Sequence, residues 1–361
     1  MRTPRHLVTG IAGALVAIVA LAGCSADANA DGETIELTSN DWNPPAHPFN
    51  ADGWKPFAED VAAATDGALT ITHYPSEGLG PVADTLTMLE NGTTDMASTV
   101  VAYHPAELPL SQISAAMAWE DAALGAQAMW ELCQQDPFRS ELLAAGIVPI
   151  MCTSVSGYEL FTNDAEIDAV PGAFDGRLVR ATGIQGLIVD ALGATPTSDS
   201  STEIYLRMEQ GSIDGTTAGW YTMPALSLDE VTNHATDGLD SWSAGLVVFG
   251  MSVERWESLD EDARDVLRDL GREYSLRVAQ GIDLMDDEAF EAAQAEMALY
   301  EVSDEEREAV RAVVQTVIDE WVATTGSTLG LETEAQAAAD VLASLVDIEP
   351  LPVDEWTPST Y

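Results

Sequence analysis

Apolar and polar positions along this chain alternate in two registers, and the changes of register mark strands and helices. The stretch 34–38 reads as a short strand. Trp54, Phe57, Val61 and Ala62 then recur at helical spacing, and Gly67 stops the helix. Positions 68–74 alternate as a strand, 82–89 form an amphipathic helix ending near Asn91-Gly92, and 96–101 is a continuous apolar run. A helix over 121–134 and a second buried strand over 146–155 complete a βαβα order, which predicts an α/β lobe with helices on both sheet faces. A second lobe starts near Gly157, with a strand at 178–181, helices at 184–192 and 202–210, and a strand around Ile213. The run 241–250 returns as a strand and suits a crossing between lobes. Capping boxes at Ser258–Glu261 and Ser303–Glu306 open two long, partly exposed helices. The stretch 347–361 is acidic and contains prolines, and is predicted to lack structure. The expected layout is a leader at 1–24, a tether at 25–33, lobe I at 34–157 and lobe II at 158–246. A return to lobe I with the start of a long helix follows at 247–285, then C-terminal helices packing on lobe II at 286–346 and the tail at 347–361.

The leader settles the compartment. Arg2 and Arg5 precede an uncharged apolar run over 7–22, which ends in Leu21-Ala22-Gly23-Cys24. This is the pattern of a secretory signal, and the run is short for a bilayer span. The ending resembles the lipobox of bacterial lipoproteins, which implies lipidation at Cys24 and anchoring to the outer face of the cytoplasmic membrane.

Charge narrows the partners. There are 61 acidic residues against 14 basic ones, a formal net charge of −47, and Lys55 is the only lysine. Nucleic acid needs a basic footprint and is excluded. An anionic ligand must instead rely on a few locally placed cations. Beyond Cys24 only Cys133 and Cys152 remain, on a predicted helix and the strand after it. In an exported protein they read as one structural disulfide, or as two buried thiols.

Enzyme readings lack their groups. The histidines His6, His47, His73, His104 and His234 form no zinc spacing, and there is no Gly-x-Ser-x-Gly elbow and no phosphate-binding Gly-Lys loop. No cofactor is implied. A cleft without a catalytic group reads as a receptor.

One stretch carries the chemistry: Phe174-Asp175-Gly176-Arg177-Leu178-Val179-Arg180, then Leu192-Gly193-Ala194-Thr195-Pro196, then Met208 to Gly215. With His47-Pro48, Thr65-Asp66-Gly67, Tyr74-Pro75, Gly92 to Met96, Tyr103 to Leu110, and Trp256 with Leu259, all in order, the chain resembles the solute receptors of TRAP (tripartite ATP-independent periplasmic) transporters, the dicarboxylate-receptor family. The resemblance implies an α/β, two-lobed periplasmic-binding-protein fold (type II-like), with mixed sheets flanked by helices and long C-terminal helices bracing both lobes. It implies a small organic acid as ligand and the small and large membrane subunits of a TRAP carrier as partners. A substrate-binding lipoprotein of an ATP-driven importer or of a sensor system is the alternative.

By the same resemblance Arg180 grips the ligand carboxylate, and a guanidinium fork matches a carboxylate in two parallel bonds. Strand alternation puts Arg180 and Leu178 on one face and Arg177 on the other. The competing role for Arg180 is a salt bridge among many acids. Family members often carry a second Arg where Tyr158 and Glu159 stand here, which points away from a small dianion. Candidate ligand contacts are Tyr158, Thr217, Trp220 and Tyr221 from lobe II, and Asn40, Asn43, Trp42, Ser98 and Tyr103 from lobe I. Aromatic walls with one Arg suit a monocarboxylate bearing an apolar or ring-shaped body, with Trp119 and Trp242 as further aromatic candidates.

Overall fold

The computed structural model describes residues 34–361, Glu120 apart. The expected leader, the expected lipidation at Cys24 and the expected tether lie outside the described residues.

In chain order the strands and helices are β1 (Ile35–Asn40), α1 (Lys55–Ala64), β2 (Leu69–Tyr74), α2 (Thr85–Glu90), β3 (Met96–Val100), α3 (Ala122–Cys133), α4 (Phe138–Ala144) and β4 (Ile147–Thr153). Lobe II follows with β5 (Glu159–Thr162), β6 (Leu178–Arg180), α5 (Ile184–Ala191), β7 (Thr195–Thr197), α6 (Ile204–Glu209), β8 (Gly215–Ala218), α7 (Thr222–Leu226) and β9 (His234–Asp237). The chain then returns through β10 (Val247–Ser252), α8 (Val253–Ser258), α9 (Glu261–Glu296), β11 (Ala298–Glu301), α10 (Asp304–Leu329) and α11 (Glu332–Leu345).

Two mixed sheets result, one per lobe. The first has the order β2-β1-β3-β10-β4, and the second β11-β9-β5-β8-β6-β7. In the first, β1 runs parallel to β2 and β3, while β10 returns antiparallel between β3 and β4. Every residue of β3, β4 and β10 is buried, because helices cover both faces, and this is why those strands read as unbroken apolar runs. On α1 the predicted stripe points inward, with Trp54, Phe57 and Val61 fully buried.

The chain crosses between lobes at 154–158, at 238–246 and along α9. With 36 residues, α9 is about 54 Å long at 1.5 Å per residue. Tyr274, Val278 and Ile282 in its middle turns pack into the core of lobe I, and Ala289 and Ala293 in its last turns pack into that of lobe II. Gly271 lets α9 approach β4 closely, since a Cβ there would stand 2.0 Å from the Ile150 carbonyl oxygen.

Three expectations are corrected. Asp260, not Ser258, caps α9 by accepting from the Ala263 N–H, because the helix starts two residues later than the Ser258 box would place it. The helices after 286 do not pack on lobe II alone: α10 lies on α5 of lobe II and on the 111–116 turns of lobe I, and α11 touches α3. The tail is ordered against lobe I. Trp356 is buried, the Trp130 indole donates to the Thr357 carbonyl at 2.8 Å, and Arg268 reaches the Tyr361 carbonyl at 2.7 Å. By contrast, the Ser303 box caps α10 as read, its hydroxyl accepting from the Glu306 N–H. Cys133 and Cys152 form a disulfide, S–S 2.13 Å, that ties α3 to β4. No described helix is long and apolar enough to cross a membrane.

Candidate ligand site between the lobes

Arg180 ends β6, where parallel pairing sets it opposite Thr216 of β8 and Thr197 of β7. That register aims its side chain toward lobe I. It is 4% exposed. Its Nε donates to the Asp199 carbonyl at 2.9 Å and its Nη2 to the Tyr103 hydroxyl at 3.2 Å. Among the described residues no carboxylate pairs with it, although seven other arginines have such partners. A buried guanidinium in this setting retains donors for an anion.

Beside Arg180 lies a cavity of about 40 Å³ walled by both lobes. Trp42, Tyr103, Tyr158, Tyr221 and Asn43, candidate contacts in the sequence, are among the residues that line it. Trp42 and Asn43 are presented by the loop after β1, which Asp41 shapes. The Asp41 carboxylate accepts from the Asn43 N–H at 2.6 Å, from Asn50 Nδ2 at 3.1 Å and from the Ser98 hydroxyl. Burial raises Asp41 to about 6 even though these bonds pull it down. The Asn43 Nδ2 has no hydrogen-bond acceptor among the described residues.

The floor is phenolic. Burial pushes Tyr158 up to about 12 despite the nearby positive charge of Arg180, and burial raises Tyr221 as well. Both hydroxyls therefore stay protonated and can donate. His47 stands edge-on to Tyr221 at 5.5 Å, and burial drives it down to about 3, so it is a neutral ring at physiological pH. Its Nδ1 accepts from the Phe49 N–H at 3.2 Å, which leaves the proton on Nε2.

Four predicted contacts lie elsewhere. Asn40 holds the loop after β2, accepting from the Leu79 N–H and donating to the Gly80 carbonyl. Ser98 supports Asp41 and accepts from the Trp54 indole. Thr217 sits on β8 beside Ala218, which lines the cavity, so the two-residue strand period turns Thr217 away. Trp220 packs edge-on against Phe161 and Phe290 in the second core. Trp119 and Trp242 are core residues too. Further residues line the cavity without having been singled out as contacts, among them His47, Phe49, Thr182, Gln185 and Ser201. His47 carried a signal in the His47-Pro48 pair, while the polar three have none in the sequence.

The fold and this cavity can be set beside known proteins. A solute-binding protein of Roseobacter denitrificans is 23% identical over 288 residues, covering 73% of this chain and 85% of that one. A marine-metagenome TRAP solute-binding protein specific for aromatic acid ligands, in complex with metahydroxyphenylacetate, superposes with a TM-score of 0.77 at 21% identity, over 86% of this chain and 99% of the other. A TRAP periplasmic solute-binding protein from Bordetella bronchiseptica with bound mandelate gives 0.76 at 22% identity, over 86% and 98%. These two likenesses speak to the fold. The family model for DctP, the bacterial extracellular solute-binding protein family 7, matches residues 40–325, and the chain therefore belongs to that family of extracellular solute receptors.

Proposed function

We propose that this receptor binds a small monocarboxylic acid with an aromatic or otherwise apolar body between its lobes. It performs no catalysis and hands the acid to the small and large membrane subunits of a TRAP-type carrier. Lipid on Cys24 tethers it to the outer face of the cytoplasmic membrane.

One observation carries the ligand class. In a chain of net charge −47, a buried guanidinium without a carboxylate partner among the described residues faces a cavity walled by Trp42, Phe49, Tyr103, Tyr158 and Tyr221. A charge buried in this way is costly unless an anion meets it. The aromatic walls favour a flat apolar body, in keeping with the aromatic acids held by the two structural relatives. A single cation and Glu159 in place of a second arginine argue against a small dianion.

Calorimetric titration with mandelate and 3-hydroxybenzoate tests the ligand. Wild type should bind at least one, and Arg180→Ala should weaken it by about two decades or more, from roughly 2–5 kcal/mol lost with a charged partner. Equal affinities would overturn the role of Arg180. For the tether, a radiolabelled fatty acid should mark wild type and spare Cys24→Ser; equal labelling of both would remove Cys24 from the account.

A further inference from the structure

Two aromatic residues of lobe I close on a single residue of lobe II. The Trp42 indole donates to Ser201 Oγ at 3.0 Å, and the Ser201 backbone N–H donates to the Tyr103 hydroxyl at 3.1 Å. The same hydroxyl accepts from Arg180 Nη2 at 3.2 Å. Trp42 and Tyr103 also pack edge-on to each other, ring centroids 6.0 Å apart. Ser201 is itself held, at the first turn before α6, by the capping box of Ser200 and Glu203.

We infer that Tyr103 and Ser201 form a clasp that holds the lobes together, and that the Tyr103 hydroxyl completes the carboxylate site only when the clasp is made. The inference rests on the receptor reading above. A phenol oxygen can accept two hydrogen bonds and still donate its own proton. Here both acceptor positions are filled from lobe II, one by a charged group. The proton has no acceptor among the described residues and belongs to a hydroxyl that lines the cavity. Donation into Tyr103 from a cation polarises its O–H toward an anion. Tyr103 therefore acts as a positioning residue as well as a ligand contact: it locates Arg180 across the lobe boundary and converts closure into one more donor. Because Arg180 Nε is occupied by the Asp199 carbonyl, the ligand carboxylate is left with the Nη end of the fork.

The test has a ligand-free arm and a ligand arm. Spin labels at exposed Glu90 and Glu209, one on each lobe, report the interlobe distance in the ligand-free protein. Tyr103→Phe keeps the ring and its packing on Trp42, and Ser201→Ala removes only the Trp42 bond. Both should move the distance distribution to longer values, Tyr103→Phe further. In stopped flow with whichever of mandelate and 3-hydroxybenzoate binds wild type, Tyr103→Phe should raise the dissociation rate roughly ten-fold or more, the size expected of hydrogen bonds to charged groups, with association altered little. A distribution unchanged in both variants overturns the clasp. An unchanged dissociation rate overturns the donor role. Either result leaves the Arg180 reading standing if Arg180→Ala still weakens binding by about two decades, whereas insensitivity to Arg180→Ala removes that reading while the ligand-free arm still decides the clasp.

Discussion

Asp286 shows how a single buried carboxylate can tune this molecule. It lies on α9 near the crossing into lobe II and accepts from the Tyr221 backbone N–H, steadying a cavity residue. Burial raises it from 3.8 to about 7, against the pull of its hydrogen bonds. In the unfolded chain it loses its proton near 3.8, whereas the folded chain keeps the proton until about 7. The folded state thus holds the extra proton in between, and the contribution of Asp286 to stability falls as pH rises through that window. His47 acts oppositely: its folded value of about 3, against 6.5 unfolded, removes stability as pH falls from 6.5. The two slopes overlap and partly cancel. Asp286→Asn keeps an acceptor for Tyr221 and should remove only the first slope. Melting temperatures at pH 5 and pH 8 should then differ from the wild-type pair by a relative gain at pH 8. An unchanged difference between the two pH values would clear Asp286 of this role. At this scale the sequence was legible where chemistry is rare: Arg180 stands out among so many acids, and Trp42, Tyr103, Tyr158 and Tyr221 sit beside the motifs. Ser201, Thr182 and Gln185 are common polar residues whose positions depend on how two lobes meet, which local patterning does not encode.

Among the elements, periodicity served best where one face is buried or where both are. The stripe of α1 and the apolar runs of β3 and β4 correspond to what packing requires. The short strands β7, β9 and β11, of three or four residues, offer too few positions to show a period and owe their place to partners far along the chain. The tail misled for a physical reason. Its composition is that of a solvated segment, yet Trp356 inserts into the lobe I core and the Tyr361 hydroxyl donates to the Cys133 carbonyl. A few anchored aromatic side chains suffice to order an acidic strap, and composition averages them away. The start of α9 was misread by a shorter margin, because Ser258 and Asp260 are both competent caps and the distinction depends on how α8 ends.

For the molecule as a whole, the excess of acid sets the kinetics of capture rather than its strength. A net charge of −47 repels an approaching carboxylate at distances beyond the reach of Arg180, and salt screens that repulsion over about 10 Å at 0.1 M. Association with whichever of mandelate and 3-hydroxybenzoate binds should therefore quicken as ionic strength rises from about 0.02 to 0.3 M, with dissociation from the enclosed site nearly constant. An association rate that falls with salt would mean that attraction, not repulsion, governs the approach. The long α9 helix adds a mechanical consequence. It is a beam seated at one end in each lobe, so separation of the lobes must flex it or unseat one end. Domain motion in this receptor thus works against an elastic element, and bending energy stored on opening returns as a bias toward renewed capture.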